Sequence, residues 1–190
     1  MTVQEAKSSA IYQFKVTLKD IQPPIWRRFQ VPNDITFYKL HLILQEVMGW
    51  YNYHLYQFIV RDVTYGDPDP DYGQTDVNSR RVRLWQVISK PRTSFVYEYD
   101  FGDGWKHQVV LERVIPSAEQ LRHSVCLAGA RACPPEDCGG PWGYQRLLEI
   151  ISNPENEEYP EMIEWLGGGF DPEAFDLGEV NMRLRQIRLK

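Results

Sequence analysis

The stretch FVYEYDFGDGWKHQVVLERV, residues 95–114, decides the fold, because it predicts two strands joined by a tight turn. Apolar or aromatic side chains occupy every second position on both sides of the Gly-Asp-Gly at 102–104, which is typical of half-buried strands. A three-residue loop at these positions pairs Phe101 with Trp105 and keeps the apolar side chains of both strands on one face. A shift of one residue would mix the two faces, so we predict an antiparallel hairpin in this register.

The same turn carries the candidate catalytic residues Asp100, Asp103 and His107. Two carboxylates at a hairpin tip could reach a cation, with the imidazole close behind them. Alternatively, the Asp side chains bond to the backbone of their own turn, as Asp commonly does, and His107 packs beside Tyr99. The triplet Asp-Phe-Gly also occurs in protein kinases, but the chain has no Gly-rich phosphate loop and no kinase catalytic loop.

The residues before the hairpin predict two strands, a helix and a third strand. Alternation predicts strands at 12–18 and 25–31, and a third at 54–62. Between the second and third strands, Thr36 is a suitable helix N-cap and Gly49 a suitable end, with apolar residues at helical spacing between them. Asp, Pro and Gly predict a loop over 63–79, and residues 80–88 fit either a strand or a short helix.

The last third of the chain predicts helices. They are expected at 142–153 and 161–166 and around Val180, Leu184 and Ile187, with Asp171-Pro172 opening a further turn. The order of elements predicts an α+β fold, with an antiparallel or mixed sheet, one packed helix and added C-terminal helices. We expect a single domain over 1–190, in which 10–115 form the sheet-plus-helix core and 116–190 a loop and helical part.

Composition places the chain among globular proteins. Of its 190 residues, 43% are hydrophobic and 25% charged, and no apolar run is long enough for a membrane-spanning helix. The first ten residues are polar, unlike a secretion signal, and three cysteines are an odd number for a disulfide framework. We therefore expect a reduced protein in the cytoplasm, without membrane partners.

Charge is unevenly distributed along the chain, although the net charge is only -5. Residues 141–180 contain ten Asp and Glu side chains against one base, Arg146. Basic residues cluster around Arg80, Arg81 and Arg83, and in the tail from 183 to 190. Such clusters are usually solvated surface, but they also leave nucleic acid open as a partner.

The segment CLAGARACPPEDCGGPWGY, residues 126–144, contains all three cysteines and predicts a rigid loop. Cys126, Cys133 and Cys138 could bind zinc with His107 or His123 as the fourth ligand, although the spacing between the thiols is unusual for such a site. Buried thiols in a packed loop are the alternative.

A binding face is the other candidate site. Trp and Arg dominate the energetics of many interfaces, so side chains of these types could bind a protein or a nucleic acid. The candidates are Trp26, Arg27, Arg28, Trp105 and Trp142.

The chain resembles the Ri-plasmid ORF-three-like family from about residue 12 to residue 184. The resemblance rests on five motifs, which are PPIWRR (23–28), MGW (48–50), YDFGDGW (99–105), RACPPEDCGGPWGY (131–144) and FDPEAFD (170–176). It implies an association with mobile elements and a β-grasp-like order of hairpin, helix and strands. Some members carry a resolvase label, but this chain has neither the serine nor the tyrosine recombinase constellation, and the family supplies no catalytic residues.

Three functions follow as hypotheses. The first is a non-catalytic binding module, which fits the incomplete catalytic motifs. The second is a metal-dependent hydrolase that uses the hairpin tip and the cysteine loop, which would then share a pocket. The third is a DNA-binding accessory protein. The sequence names neither a substrate nor an oligomeric state.

Overall fold

A computed structural model describes residues 9–68, 75–117 and 121–189. The strands are β1 (Ala10–Leu18), β2 (Trp26–Pro32), β3 (Tyr56–Val60), β4 (Val63–Gly66), β5 (Val77–Asn78), β6 (Ser94–Tyr99), β7 (Trp105–Pro116) and β8 (Val125–Ala130). The helices are α1 (Phe37–Met48), α2 (Leu84–Val87), α3 (Gly140–Ile151), α4 (Tyr159–Trp165) and α5 (Leu177–Leu184). None of the helices in these described ranges is long and apolar enough to cross a membrane.

The eight strands form one mixed sheet in the order β5-β4-β3-β6-β7-β1-β2-β8. All neighbours are antiparallel except the short β4–β5 pair. The predicted α+β fold with a mixed sheet is therefore confirmed. The β-grasp-like order is not confirmed, because β4, β5 and β8 extend the sheet beyond the strands expected from the sequence. The sheet also includes residues from both predicted parts, 10–115 and 116–190.

Strands β6 and β7 form the predicted hairpin, but in a different register. Tyr99 pairs with Trp105 and Tyr97 with His107, so the loop has five residues instead of three. The shift is by two positions, so the side chains within the two strands keep their predicted faces. The cause is Asp100, which adopts a left-handed backbone conformation with φ of 56°. The strand therefore ends at Tyr99 instead of continuing to Phe101.

Helix α1 covers one face of the sheet, as its sequence pattern predicts. The Thr36 side chain accepts a hydrogen bond from the Lys39 backbone N–H, and Gly49 ends the helix with φ of 99°. The Phe37 ring packs against those of Phe58 and Tyr65. The predicted apolar stripe of α1 is therefore confirmed as the part of the helix that packs in the core.

Several short or edge elements differ from the sequence predictions. The predicted loop at 63–79 contains β4 and β5, and the predicted loop at 126–144 begins inside strand β8. The ambiguous segment 80–88 contains the short helix α2. Strands β4, β5 and β8 lie at the sheet margins, where alternation is irregular, and α2 has only four residues, so periodicity alone does not reveal these elements.

The final helix packs against both α1 and β8. It begins after Asp176, whose side chain accepts a hydrogen bond from the Glu179 backbone N–H. The turn predicted at Asp171-Pro172 is present, with the Ala174 backbone N–H donating to the Asp171 carbonyl (3.2 Å), and the helix itself begins at Leu177. Val180 and Leu184 are buried against the core, as their spacing predicts.

The buried guanidinium of Arg27 ties β2 to three other segments. It donates to the carbonyl oxygens of Val47 at the end of α1 (2.8 Å), of Ala130 in β8 (2.8 Å) and of Arg131 after β8 (2.8 Å). Arg27 is 2% exposed, and its guanidinium lies over the ring of Phe175, 4.5 Å from the centroid. Burial lowers the pKa of Arg27, with the thiols of Cys133 and Cys126 opposing the shift.

We predict that Arg27→Met destabilises the protein by about 3 kcal/mol or more, because it leaves several buried carbonyl oxygens without a donor. The neighbouring residue provides the matched control. Arg28 forms a partly exposed ion pair with Glu112 (2.7 Å), so Arg28→Met should cost about 1 kcal/mol or less. Urea denaturation of both variants measures the difference, and equal losses would contradict the structural role assigned to Arg27.

Candidate functional site

Three segments meet at the tip of the β6–β7 hairpin. They are the hairpin loop at 100–104, the residues after α1 at 50–55 and the loop at 131–139 between β8 and α3. The Trp50 indole N–H donates to the Pro134 carbonyl (3.0 Å), and the Gly139 backbone N–H donates to Asp103 Oδ2 (3.1 Å). The hairpin tip and the cysteine loop therefore contact each other.

Glycine at position 140 makes this contact possible. Gly140 has φ of 69°, and a Cβ built on it would collide with the backbone carbonyl of Asp103. Both the backbone conformation and the close approach exclude larger residues. The loop therefore packs directly on the backbone of the hairpin tip.

Asp100 stabilises the tip and presents one carboxylate oxygen to the site. Its Oδ1 accepts hydrogen bonds from the backbone N–H groups of Gly102 (3.0 Å) and Asp103 (3.3 Å). The Asp100 backbone N–H donates to the Leu55 carbonyl (2.8 Å). With Oδ1 used in this way, Oδ2 faces His54 at 3.6 Å from Nε2.

His54, Asp100 and Asp137 form a group in which three potential metal ligands converge. One ligand atom from each lies within 4.8 Å of the other two, and it is the single group of this kind among residues 9–68, 75–117 and 121–189. His54 Nε2 is 3.2 Å from Asp137 Oδ1. This nitrogen is shielded from solvent, yet it makes no hydrogen bond of acceptable geometry. A shielded nitrogen that faces two carboxylate oxygens without a hydrogen bond calls for an explanation, and a bound ion is one.

The distances fit a metal ion. Two ligand atoms about 2.1 Å from a tetrahedral zinc ion are about 3.4 Å apart. The observed separations of 3.2 and 3.6 Å lie on either side of this value. One imidazole nitrogen and two carboxylate oxygens suit zinc, manganese or ferrous iron.

Tyr99 and Glu136 form hydrogen bonds that hold the segments carrying His54 and Asp137. The Tyr99 hydroxyl donates to Glu136 Oε1 (2.5 Å) and accepts from the Tyr53 backbone N–H (3.0 Å). Burial, and then the contact with Glu136, raise the pKa of Tyr99, so the phenol keeps its proton. Glu136 Oε2 also accepts from the Tyr51 backbone N–H (3.1 Å), which fixes the residue next to Asp137.

Of the candidate catalytic residues predicted from the sequence, only Asp100 belongs to this group. Asp103 instead accepts a hydrogen bond from the Gly139 backbone N–H of the 131–139 loop, whereas Asp100 Oδ1 has the turn role that was considered for both residues. His107 is fully buried, with Nδ1 3.2 Å from the Tyr97 carbonyl oxygen and the Trp50 ring edge-on at 5.2 Å. Burial lowers the pKa of His107 to about 4, so its imidazole is neutral at pH 7.

The cysteines do not converge with His107 or His123 on a four-ligand centre among the described residues. Cys126 is buried, and its thiol lies 3.6 Å from the Ala128 carbonyl oxygen. Burial raises the pKa of Cys133 and raises that of Cys138 to about 12. The three thiols are therefore protonated at neutral pH, which disfavours a cysteine nucleophile.

The five residues predicted as a binding face do not lie on one surface. Arg27 and Trp105 are buried, at 2% and 1% exposure, because one ties the backbone together and the other packs in the core. The Trp26 ring centroid lies 5.0 Å from the Lys15 ammonium and 5.4 Å from the Arg28 guanidinium. Trp142, on α3, is 84% exposed.

The segments that meet at the site carry several exposed aromatic side chains. Tyr51 and Tyr53 are 73% and 75% exposed, and their rings stack at 5.7 Å. Phe101 protrudes from the hairpin loop, which corrects its predicted place on the buried face, and Trp142 follows the loop that contacts Asp103. Exposed aromatic side chains near a polar cluster are typical of a binding site.

We predict that Asp100 contributes to stability through its side-chain oxygen and its left-handed backbone. Asp100→Asn keeps the acceptor and tolerates φ of 56°, so it should cost little. Asp100→Ala loses the two hydrogen bonds and strains the backbone, so it should cost about 1–2 kcal/mol more than Asn. Thermal or urea unfolding of the two variants tests this, and equal stabilities would contradict the assigned role.

We also predict that stability falls as the pH is lowered from about 6.5 towards 5. Burial lowers the folded-state pKa of His107 and of His41 to about 4, so the unfolded state binds more protons in this window. The contribution of these two neutral histidines to the free energy of unfolding should be complete above about pH 6.5 and should decrease below it. In His107→Gln the slope against pH should be smaller, whereas His123→Gln, which changes an exposed histidine, should retain the full slope.

Comparisons with known proteins agree with this architecture. The family model described as plasmid pRiA4b ORF-3-like protein matches residues 10–179. Uncharacterized protein y4hQ of Sinorhizobium fredii (strain NBRC 101917 / NGR234) is 39% identical over 184 residues, which cover 96% of this chain and 94% of that protein. The crystal structure of a protein of unknown function, MM3350 from Methanosarcina mazei Go1, is similar with a TM-score of 0.79 and 36% identity, over 91% of this chain and 98% of that one. This chain therefore belongs to the plasmid pRiA4b ORF-3-like protein family.

Proposed function

We propose that the protein is a binding module whose site is built around a divalent metal ion held by His54, Asp100 and Asp137. The convergence of these three ligand atoms within 4.8 Å carries the proposal. Two further features support it, namely the separations of 3.2 and 3.6 Å and the buried His54 Nε2 without a hydrogen-bond partner.

The ligand of this module has two chemical features. Three protein ligands leave coordination positions open on the ion, and oxygen atoms of a carboxylate or phosphate group suit them. The exposed rings of Tyr51 and Tyr53 offer a flat apolar surface to the rest of the ligand. An anionic group next to an apolar or aromatic part therefore fits the site. The association with mobile elements implied by the resemblance belongs to the same proposal.

Metal-dependent hydrolysis is a second candidate function, and the open coordination positions favour it. Three protein ligands plus a water are the usual arrangement of catalytic zinc sites, and zinc lowers the pKa of the bound water to about 7. This hypothesis predicts a pocket shared by the hairpin tip and the cysteine loop, and the hydrogen bond from Gly139 to Asp103 brings these two segments together. The hydrolase would use His54, Asp100 and Asp137 rather than the cysteines.

The test is metal content and metal affinity. The protein purified without chelator or affinity-column metal should contain about one divalent ion per chain by mass spectrometry of the metals. After removal of this ion, titration with Zn²⁺ or Mn²⁺ should give one site. His54→Ala and Asp137→Asn should each weaken binding by at least about 10- to 100-fold, because each removes a ligand.

Matched controls keep this result specific. His123→Ala removes an exposed imidazole, and Asp62→Asn removes an exposed carboxylate at a left-handed position that accepts Asn. Both should leave affinity unchanged. Metal that binds equally well to the His54 and Asp137 variants would overturn the proposal, as would the loss of binding in Cys133→Ser and Cys138→Ser alone.

A further inference from the structure

A basic groove of about 900 Å³ lies on a part of the molecule whose lining shares no residue with the metal-ligand group. It is bounded by the start of α1, the residues between β5 and α2, the segment before β8 and the tail after α5. Its cationic lining residues are Lys39, Arg80, Arg83, Arg122, Arg185 and Arg188, and the side chain of His123 also lines it. Among the lining residues, Asp34 has the single carboxylate.

Most of this positive charge has no ion-pair partner among the residues that the structure describes. Arg80 forms an ion pair with Asp67 (2.6 Å), and Arg83 is 3.9 Å from the Asp34 carboxylate. The other four cations, Lys39, Arg122, Arg185 and Arg188, have no carboxylate within ion-pair distance in the described part of the chain. Like charges gathered in a concave site create a potential that attracts anions.

Folding brings these charges together from distant parts of the sequence. Two basic clusters, at 80–83 and in the tail, are about one hundred residues apart along the chain. Helix α5 packs against α1 and β8, and Leu184 and Ile187 are buried, which directs the tail towards the start of α1. The exposed Arg185 and Arg188 alternate with these anchors and so line the groove.

The residue types indicate the chemistry of the ligand. Five of the six permanent cations are arginines, and a guanidinium binds phosphate oxygens through two parallel hydrogen bonds. Cations that come from four chain segments suit a ligand with several phosphate groups in a row. A concave groove admits a single strand, whose backbone it contacts from more than one side, more readily than a rigid duplex.

We infer that this groove binds the phosphate backbone of a single-stranded nucleic acid, an activity separate from the proposed metal site. Tyr38 also lines the groove, and its ring already carries the Arg80 guanidinium at 3.5 Å. This stacking fixes the guanidinium on one wall of the groove, where it faces a bound strand.

The test is fluorescence anisotropy of a fluorescein-labelled 15-nucleotide oligothymidine, titrated with the full chain in EDTA at several KCl concentrations. Affinity should fall with salt, and log K against log salt should have a slope of about −3, since about four unpaired cations each release about 0.7 counterion. Arg185→Glu/Arg188→Glu should weaken binding at least tenfold and make the slope shallower. Arg122→Glu, on another wall, should act in the same direction.

The matched control is Lys19→Glu/Lys90→Glu, which makes the same change in net charge at exposed positions outside the groove lining. Its affinity should stay within about twofold of the unaltered protein. The inference is overturned if the oligothymidine does not bind, if the control loses as much affinity as the groove variants, or if a duplex of equal length binds more tightly. It is also overturned if ATP at equal concentration displaces the oligothymidine, since the groove would then bind a mononucleotide. The same holds if the groove variants abolish only self-association, since acidic helices of a second copy would then occupy the groove. Because EDTA removes divalent ions, loss of this activity and failure of the metal proposal are separate results.

Discussion

The buried guanidinium of Arg27 is the interaction on which the rest of the structure depends. It binds carbonyl oxygens at the end of α1 and on both sides of the point where β8 ends. The carbonyls after β8 cannot pair within the sheet, so a buried donor must satisfy them. Gly129 allows the approach, because a Cβ there would collide with the side chains of Arg27 and Phe175. One side chain thus fixes where the sheet ends and the long loop begins.

The position of the metal-ligand group follows from that constraint. Arg131, directly after the strand, donates to Glu173 (2.7 Å) and to the Pro23 carbonyl (2.8 Å). The loop then reaches the hairpin tip, where Trp50 and Asp103 hold it. All five motifs that carry the family resemblance take part in this chain of contacts. The motifs are therefore the parts that position the loop carrying Asp137, and several of their polar residues act on backbone atoms.

The sequence predicts the strands and α1 because each has one buried face, and a buried face produces a period in the sequence. It also identifies the hairpin tip and Asp100. It does not identify His54 and Asp137. These two residues lie in other segments, 46 and 37 positions away from Asp100 in the chain, and no local sequence pattern indicates that folding brings the three together. The hairpin register was wrong because alternation is insensitive to a shift by two. The signal that could have corrected it is Asp before Phe-Gly, a residue that tolerates a left-handed backbone. The predicted binding face does not form one surface, because Arg27 and Trp105 are buried. Trp and Arg side chains are as suited to packing and hydrogen bonding inside a protein as to contacting a partner.

The charge distribution links the two proposals without making one depend on the other. The strongly acidic segment at 141–180 includes α3 and α4, whereas the cations of the groove lie around the start of α1 and the tail. A net charge of -5 therefore does not describe the surface that an approaching polyanion meets. Salt screens the electrostatic field of each charged region beyond about 8–10 Å, so the polyanion responds to the nearest region. The acidic helices repel a strand while the basic groove attracts it, so the approach is oriented. Such an orientation sets where a nucleic acid can bind and leaves the proposed metal site, whose residues do not line the groove, free for a second ligand.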